Sequence, residues 1–254
     1  MLRVFSSIRQ SLINEGKTSR YVRYAVGEVL LIMVGILLAL QVQTWNQNRL
    51  LERERQDLIE NLKADFQLNL RELDSVIADA TSNRDGLVSF LEKASSNDEI
   101  SDVAELKSLA NNSQPLNAFE ASIGFYRAAI STGSISLVED SPLNNLFVKF
   151  EHYYSRLREI EMAGRDMAFS DEGLHMEIRK ELGSMAILRT TRGWKINIPD
   201  AFQLGDDEYR KFVSRKDVYA YFEMRLELKE SQIWRMNQLR DVTEQILTAL
   251  EELD

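Results

Sequence analysis

The chain of 254 residues contains no cysteine, two histidines, three prolines and eleven glycines. The absence of cysteine excludes disulfide scaffolds, thiolate zinc sites and cysteine nucleophiles. Two histidines nearly exclude a metal site built from imidazole ligands, and we expect neither a metal nor another cofactor. So few prolines and glycines do not supply the turns of a β-sandwich or β-barrel. The sequence therefore excludes the turn-dense β folds.

Charge is distributed unevenly along the chain. The formal net charge of −9 argues against a nucleic-acid partner, because phosphate binding needs a basic surface. Residues 1–23 nevertheless carry five basic side chains and one acidic side chain, a net of +4, which leaves −13 for the rest. A basic N-terminal segment thus precedes an acidic body.

The one strongly apolar run, Val29–Leu40, separates these two parts. Its twelve residues alone are typical of a core helix or of the apolar region of a signal peptide. Tyr24 and Trp45 bracket the run as an aromatic belt would. The 22 residues from Tyr24 to Trp45 make a helix of about 33 Å, close to the ~30 Å hydrocarbon core of a bilayer. We therefore predict a transmembrane helix.

The flanks of this run predict an uncleaved signal anchor. The sequence after Leu40, QVQTW, offers no A-x-A-like cleavage site. Five Lys and Arg residues precede the span and three follow it, which favours a cytoplasmic N-terminus. We expect three parts: a cytoplasmic basic segment (1–18), a transmembrane helix (19–45) and an extracytoplasmic domain (46–254).

The basic segment has the pattern of a short amphipathic helix. Its apolar residues fall near helical spacing, with Arg3 and Arg9 on the other side; they are Leu2, Phe5, Ile8, Leu12 and Ile13. Two interpretations remain open. The helix lies on the inner leaflet and is attracted to anionic lipid, or the segment serves only to orient the span.

The helical pattern continues beyond the span. Apolar residues recur at steps of three, four or seven from Leu51 to Ala80, which predicts one helix from about Ser19 to about residue 80. Further helices are predicted over the stretch after residue 80 that Ser95-Ser96-Asn97-Asp98 closes, over 102–110, and over 117–131 with Phe119, Ile123, Tyr126 and Ile130 packed inside. Another is predicted from Ser141-Pro142 onward, with a possible kink around Gly164 or Gly173, and a last one over about 215–253; residues 190–205 are predicted to be irregular. The fold class is therefore all-α. An N-terminal amphipathic helix and one transmembrane helix lead into an extracytoplasmic antiparallel helical bundle.

The span and one loop carry the candidate contact residues. Glu28 is an ionisable group inside the span, and it is an interfacial anchor, a partner for another subunit or part of an ion pathway. Gly35 and Ala39 lie on one helical face and would let another helix approach closely, unless they merely face lipid. Tyr24 and Trp45, at the two ends of the span, are the other candidate membrane residues. In the loop, Trp194 beside Arg192 and Lys195 either contacts a partner or the membrane surface, or pins the loop onto its own domain.

Catalytic patterns are absent from the sequence. Glu172 and His175 have the Glu-x-x-His spacing of di-iron bundles, but such a centre needs two pairs, and His152 has no such partner. There is no nucleophile elbow and no glycine loop for phosphate. We therefore expect a protein that is not an enzyme.

Two segments resemble a large family of uncharacterised single-span membrane proteins from Bacteroidota. The first is IRQSLINEGKTSRYVRYAVGEVLLIMVGILLALQVQTWNQNR, where the matching positions are Glu15, Gly16, Lys17, Tyr24, Ala25, Gly27, Glu28, Gly35, Ala39, Leu40, Gln41, Trp45 and Asn46. The second is STGSISLVEDSPLNNLFVKFEHYY, where they are Ser131, Gly133, Ile135, Leu137, Val138, Asp140, Tyr153 and Tyr154. Thr132 departs from the serine that the family often has. The resemblance implies a bacterial inner-membrane location with a periplasmic C-terminal domain, and it implies no activity.

These observations predict a single-pass inner-membrane protein that acts by protein–protein contact. It would be a scaffold, an adaptor or an accessory subunit, in a homo-oligomer or with another membrane protein. The alternative is a ligand-sensing helical bundle that signals through a partner, because about 20 cytoplasmic residues leave no room for an output domain. A third possibility is a subunit of a multi-span transporter or envelope machine.

Overall fold

A computed structural model describes residues 18–96, 102–112, 117–138, 142–169, 173, 177–178 and 205–253. The described residues are helical or connecting, with no β-strand among them. Their helices are α1 (Thr18–Ser95), α2 (Val103–Asn112), α3 (Gly124–Thr132), a 3₁₀ helix (Ser134–Leu137), α4 (Leu143–Phe169), α5 (Asp206–Val213) and α6 (Lys216–Glu251). The all-α prediction is confirmed for this part of the chain. The predicted amphipathic helix before Thr18 lies outside it.

Contacts divide the chain into two compact units, Met1–Asp57 and Leu58–Asp254. In the first unit the described residues belong to the N-terminal part of α1. Its most apolar window has a mean hydropathy of 2.4, and none of that window is buried. Leu31 is 73% exposed and Leu37 is 52% exposed. Within the described ranges, α1 is the one helix long and apolar enough to cross a membrane.

The larger core of the second unit joins α1, residues 119–138, α4 and α6. At its centre the ring of Phe66 stacks on Phe147, with centroids 5.8 Å apart, and meets the ring of Phe150 edge to face at 5.1 Å. All three side chains are almost fully buried. Burial of side chains of this size contributes about 1.5–3 kcal/mol each. This core packs together α1, α4 and α6, the helices that carry the polar groups of the site described below.

A second core lies in the same unit, where the C-terminal part of α1 meets α2, α5 and α6. The rings of Phe90 and Phe222 lie 4.4 Å apart, and Leu106 and Tyr209 belong to the same cluster. This cluster explains why α1 continues to Ser95 and does not end near residue 80 as predicted. Its buried residues beyond 80 find partners on helices that are distant in the sequence.

Residues 117–123 are irregular, although the apolar spacing predicted a helix from 117 to 131. Phe119, Ile123 and Tyr126 are buried as predicted, but Ile130 is 51% exposed. The helix begins only at Gly124. Asn69 of α1 binds the backbone N–H of Ser122 just before it, and Asp65 of α1 binds the N–H of Phe125 in its first turn.

The later helices also differ from the prediction in their ends. α4 begins at Leu143, directly after Pro142, and runs through Gly164 to Phe169. The short helix α5 was not predicted. Three acidic residues occupy its first turn, where their negative charge stabilises the helix by interaction with the positive end of its dipole. α6 agrees with the predicted final helix to within two residues at each end.

Candidate functional site

Residues 117–123, here called the strap, connect α1, α4 and α6 of the second unit through hydrogen bonds. A non-helical segment inside a core must have its backbone N–H and C=O groups satisfied by other partners. Side chains of the surrounding helices supply them. Asn69, which is fully buried on α1, accepts a bond from the backbone N–H of Ser122 at 2.6 Å and donates to its carbonyl at 2.8 Å.

Asp65, one helical turn before Asn69, binds the end of the strap and the start of α3. Its Oδ1 accepts a hydrogen bond from the hydroxyl of Ser122 at 3.0 Å, and its Oδ2 accepts one from the backbone N–H of Phe125 at 2.9 Å. The N-cap residue of α3 is Ile123, which has no side-chain acceptor. A carboxylate from another helix therefore does the capping.

On the α4 side, Glu161 binds the middle of the strap. Its Oε1 accepts the backbone N–H of Phe119 at 3.0 Å, and its Oε2 accepts a hydrogen bond from Arg158 at 2.8 Å. The Glu161 side chain is only 5% exposed. Burial raises the pKa of this carboxyl, and the Phe119 N–H and the Arg158 guanidinium oppose that rise. One further bond runs from the N–H of Ala121 to the hydroxyl of Tyr154 at 3.4 Å.

On the α6 side, Lys229 and Gln232 bind the first strap residue, Asn117. The Lys229 ammonium donates to Oδ1 of Asn117 at 2.8 Å, and Gln232 Nε2 donates to the Asn117 carbonyl. Asn83 of α1 also donates to Oδ1 of Asn117, at 3.0 Å. Burial, together with the nearby Arg225 cation, lowers the pKa of Lys229 to about 8.

A cavity of about 80 Å³ lies between the strap, α4 and α6. It combines charged and amide side chains with apolar ones, and its lining is Asn117, Ala118, Ile160, Glu161, Gly164, Arg165, Met167, Arg225, Leu228, Lys229 and Gln232. Three of these side chains are basic and one is acidic. Pockets that combine apolar walls with a few convergent polar groups are the usual form of small-molecule sites. We call this space the Lys229 cavity.

The membrane residues predicted from the sequence all lie on α1 in the first unit. Gly35 and Ala39 are exposed one turn apart, and a Cβ added at Gly35 would meet open space. Trp45 is 65% exposed, while Glu28 is half-buried. Tyr24 lies within the helix. Their roles at a membrane stay predictions.

The other predicted residues give less information. Arg192, Trp194 and Lys195 lie outside the described residues, as do Glu172 and His175. His152 is exposed on α4 beside the ring of Tyr153. Within the residues that the structure covers, no group of three or more His, Asp or Glu side chains lies close enough together to hold a metal ion.

Helical periodicity predicts neither the strap nor the Lys229 cavity, although the sequence holds a signal for them. Asp65 and Asn69 stand beside Phe66 on the buried face of α1. Lys229 occupies a position at helical spacing between Phe222 and Met236, both of which are buried. Buried polar residues require hydrogen-bond partners, so their presence on a core-facing stripe predicts a polar segment packed against it.

Comparison with known protein families identifies a match. A model named Family of unknown function (DUF6090) matches residues 28–166, from the apolar part of α1 through the strap and most of α4. The match includes Glu28, Gly35 and Glu161 but ends before Lys229. No curated protein and no solved structure matches the chain. Because the matched region is more than half of the sequence, the chain belongs to this family of unknown function.

Proposed function

We propose that α1 anchors the protein in a bilayer, with Val29–Leu40 in the hydrocarbon region. The observation that carries this proposal is the exposure of every large apolar side chain in that run, each more than half accessible. A buried side chain of this kind gains about 1.5–3 kcal/mol relative to an exposed one. The free-energy cost of leaving ten such side chains in water would exceed the usual free energy of unfolding of a domain. A lipid bilayer removes this cost because it surrounds a single helix on all sides.

The proposed location is a bacterial inner membrane, with a cytoplasmic N-terminus and a periplasmic C-terminal domain. The excess of Lys and Arg before the span supports this orientation. An alkaline phosphatase fused after Asp254, which is active only outside the cytoplasm, should be active in cells. A fluorescent protein that folds only in the cytoplasm serves as the paired control and should stay dark at the same position. The reverse pattern would contradict the orientation.

Within the membrane we propose that the protein works by contact, as a scaffold, adaptor or accessory subunit without catalytic activity. The contact would be with a second copy or with another membrane protein. Gly35 and Ala39 support the proposal, because small side chains let the backbones of two helices approach in lipid. The open space around Gly35 leaves room for a partner helix.

Crosslinking tests this contact in a chain that has no native cysteine. Cysteines placed on the Gly35 face of α1 should form crosslinks or retain a co-purifying membrane protein in mild detergent. Gly35→Ile should reduce the yield severalfold because it fills the close approach. Leu37→Ile, an apolar exchange on another face, should not. Equal yields in both variants, or no partner in the parent, would contradict the proposed contact.

The second candidate function is ligand sensing through a partner protein, and the Lys229 cavity favours it. A cavity of about 80 Å³ with basic and amide groups on its walls can hold more than one water molecule. Ligand sensing is distinguished from a purely structural contact role by one observation. In ligand sensing, a small molecule bound to the purified protein changes which partner is recovered with it.

A further inference from the structure

We infer that the Lys229 cavity binds a small organic anion of the short-chain monocarboxylate class. The inference deepens the ligand-sensing function and rests on it for its biological consequence. The binding itself follows from the charge, the size and the apolar walls of the cavity.

The charge on the walls selects an anion. Arg165, Arg225 and Lys229 line the cavity and carry positive charge, whereas Glu161 is its one acidic lining residue. The Glu161 carboxylate is already bound by Arg158 and by the backbone N–H of Phe119. The Glu161 carboxylate is therefore engaged in holding α4 to the strap. The three basic side chains leave the cavity with a surplus of positive charge toward a ligand.

Repulsion between two of these cations supports the same conclusion. The charge of Arg225 disfavours protonation of Lys229, in addition to the effect of burial. Two like charges that face one cavity raise the free energy of the empty protein. An anion between them would remove that repulsion and would accept charge-assisted hydrogen bonds from both side chains.

Gly164, which lies inside α4, forms part of the cavity wall. Glycine in a helix interior is destabilising relative to alanine, so a packing reason for it is expected. No such reason exists among the described neighbours, because a Cβ at Gly164 would meet no atom within 4 Å. The side chain that is missing at Gly164 instead leaves the cavity wall open.

The size and the apolar walls narrow the ligand class. A volume of about 80 Å³ exceeds the roughly 10–15 Å³ that one water needs, and it is well below the ~300 Å³ of drug-sized sites. This space suits a molecule of a few heavy atoms. Ile160, Met167 and Leu228 offer an apolar surface for a short alkyl chain, while the cations bind its carboxylate.

Butyrate is the probe that tests this inference, with butyramide as its neutral isostere. The full chain is purified in mild detergent, and ligand binding is followed by saturation-transfer NMR and calorimetry at constant ionic strength. We expect saturable binding of butyrate with a dissociation constant of about 1 mM or lower. Butyramide should bind at least about tenfold more weakly, because it lacks the charge.

Variants locate the binding in the cavity. Gly164→Leu should abolish butyrate binding by filling the space, whereas Gly86→Leu, at another helical glycine with open surroundings, should not. Lys229→Met should weaken binding by about tenfold or more. Since Lys229 is buried, Arg165→Gln at an exposed position provides a second charge variant that leaves the core intact, and it should weaken binding severalfold. Circular dichroism confirms that each variant is folded.

Four results would overturn the inference. The first three are the absence of saturable butyrate binding, equal binding of butyramide, and undiminished binding by folded Gly164→Leu protein. The fourth is tighter binding of inorganic phosphate than of butyrate, which would overturn the carboxylate assignment. Butyrate binding that leaves the recovered partners unchanged would support the site and contradict the sensing function, so the two failures are distinguishable.

Discussion

Asp65 accepts a hydrogen bond at 2.9 Å from the backbone N–H of Phe125, 60 residues later in the chain. The carboxylate thereby caps α3 from another helix, and Asn69 fixes Ser122 of the strap one turn farther along. A buried polar residue on α1 thus determines where a distant helix begins. The contact joins α1 and α3 at a point where apolar packing alone would leave backbone donors unsatisfied.

Removal of this cap should destabilise the second unit. Asp65→Ala leaves the N–H of Phe125 and the hydroxyl of Ser122 without their acceptor, which we expect to cost ~2–3 kcal/mol. For a domain of this size the thermal midpoint should fall by about 5–10 °C, measured by circular dichroism on the full chain in detergent. Asp79→Ala, at an exposed position of the same helix, is the matched control and should change the midpoint little. Equal effects of the two variants would show that the cap contributes nothing.

Two glycines with open surroundings should respond in opposite directions to alanine. Gly133 ends α3 with a φ of +78°, a conformation that an L-residue adopts at a cost of about 1–2 kcal/mol. Gly86 lies inside α1, where alanine is favoured by roughly 0.5–1 kcal/mol. Gly133→Ala should therefore lower the thermal midpoint and Gly86→Ala should raise it. A rise for both variants would contradict the backbone assignment at Gly133.

The lowered pKa of Lys229 predicts a specific pH dependence of stability. The folded pKa is about 8 and the ordinary value is 10.5. Between these pH values the unfolded chain binds more protons, so the contribution of Lys229 to the free energy of unfolding rises with pH. Below pH 8 both states are protonated, and the cost of burying the charge is fully present.

Comparison with Lys229→Met isolates this contribution, because the other titrating groups are common to both proteins. The free energy of unfolding of the parent minus that of the variant should increase from pH 7.5 to pH 10.5, by at most about 3 kcal/mol. Urea unfolding at several pH values measures it. A difference that is constant with pH, or that decreases, would contradict the buried position of the ammonium group.

Helix periodicity predicted those parts of the fold that depend on one apolar face. On α6, Val218, Phe222, Met236 and Ile246 are buried as their spacing indicated. The strap escaped prediction because Phe119 and Ile123 have helical spacing as well. Local sequence does not reveal that Asn69 binds the backbone of Ser122 or that Asp65 binds the Ser122 hydroxyl and the N–H of Phe125. Hydrogen bonds over 53 to 60 residues form only when the helices have packed.

The candidate site was beyond prediction for a related reason. Lys229 could be recognised as a polar residue on an apolar stripe, but its partner Asn117 lies 112 residues away. The cavity wall also includes Gly164, at which the sequence predicts a possible kink in the helix. In the structure α4 continues through that position. The glycine matters for the space beside the helix and not for its direction.

The proposed membrane location of Val29–Leu40 is tested most directly by cysteine labelling in intact spheroplasts, since every introduced cysteine is the sole one in the chain. Val34→Cys and Leu37→Cys should resist a membrane-impermeant maleimide and should react only after detergent denaturation. Arg53→Cys, beyond the span on the exposed surface of α1, should react in the intact spheroplasts. Labelling of positions 34 and 37 at the same rate as position 53 would contradict a membrane-spanning α1.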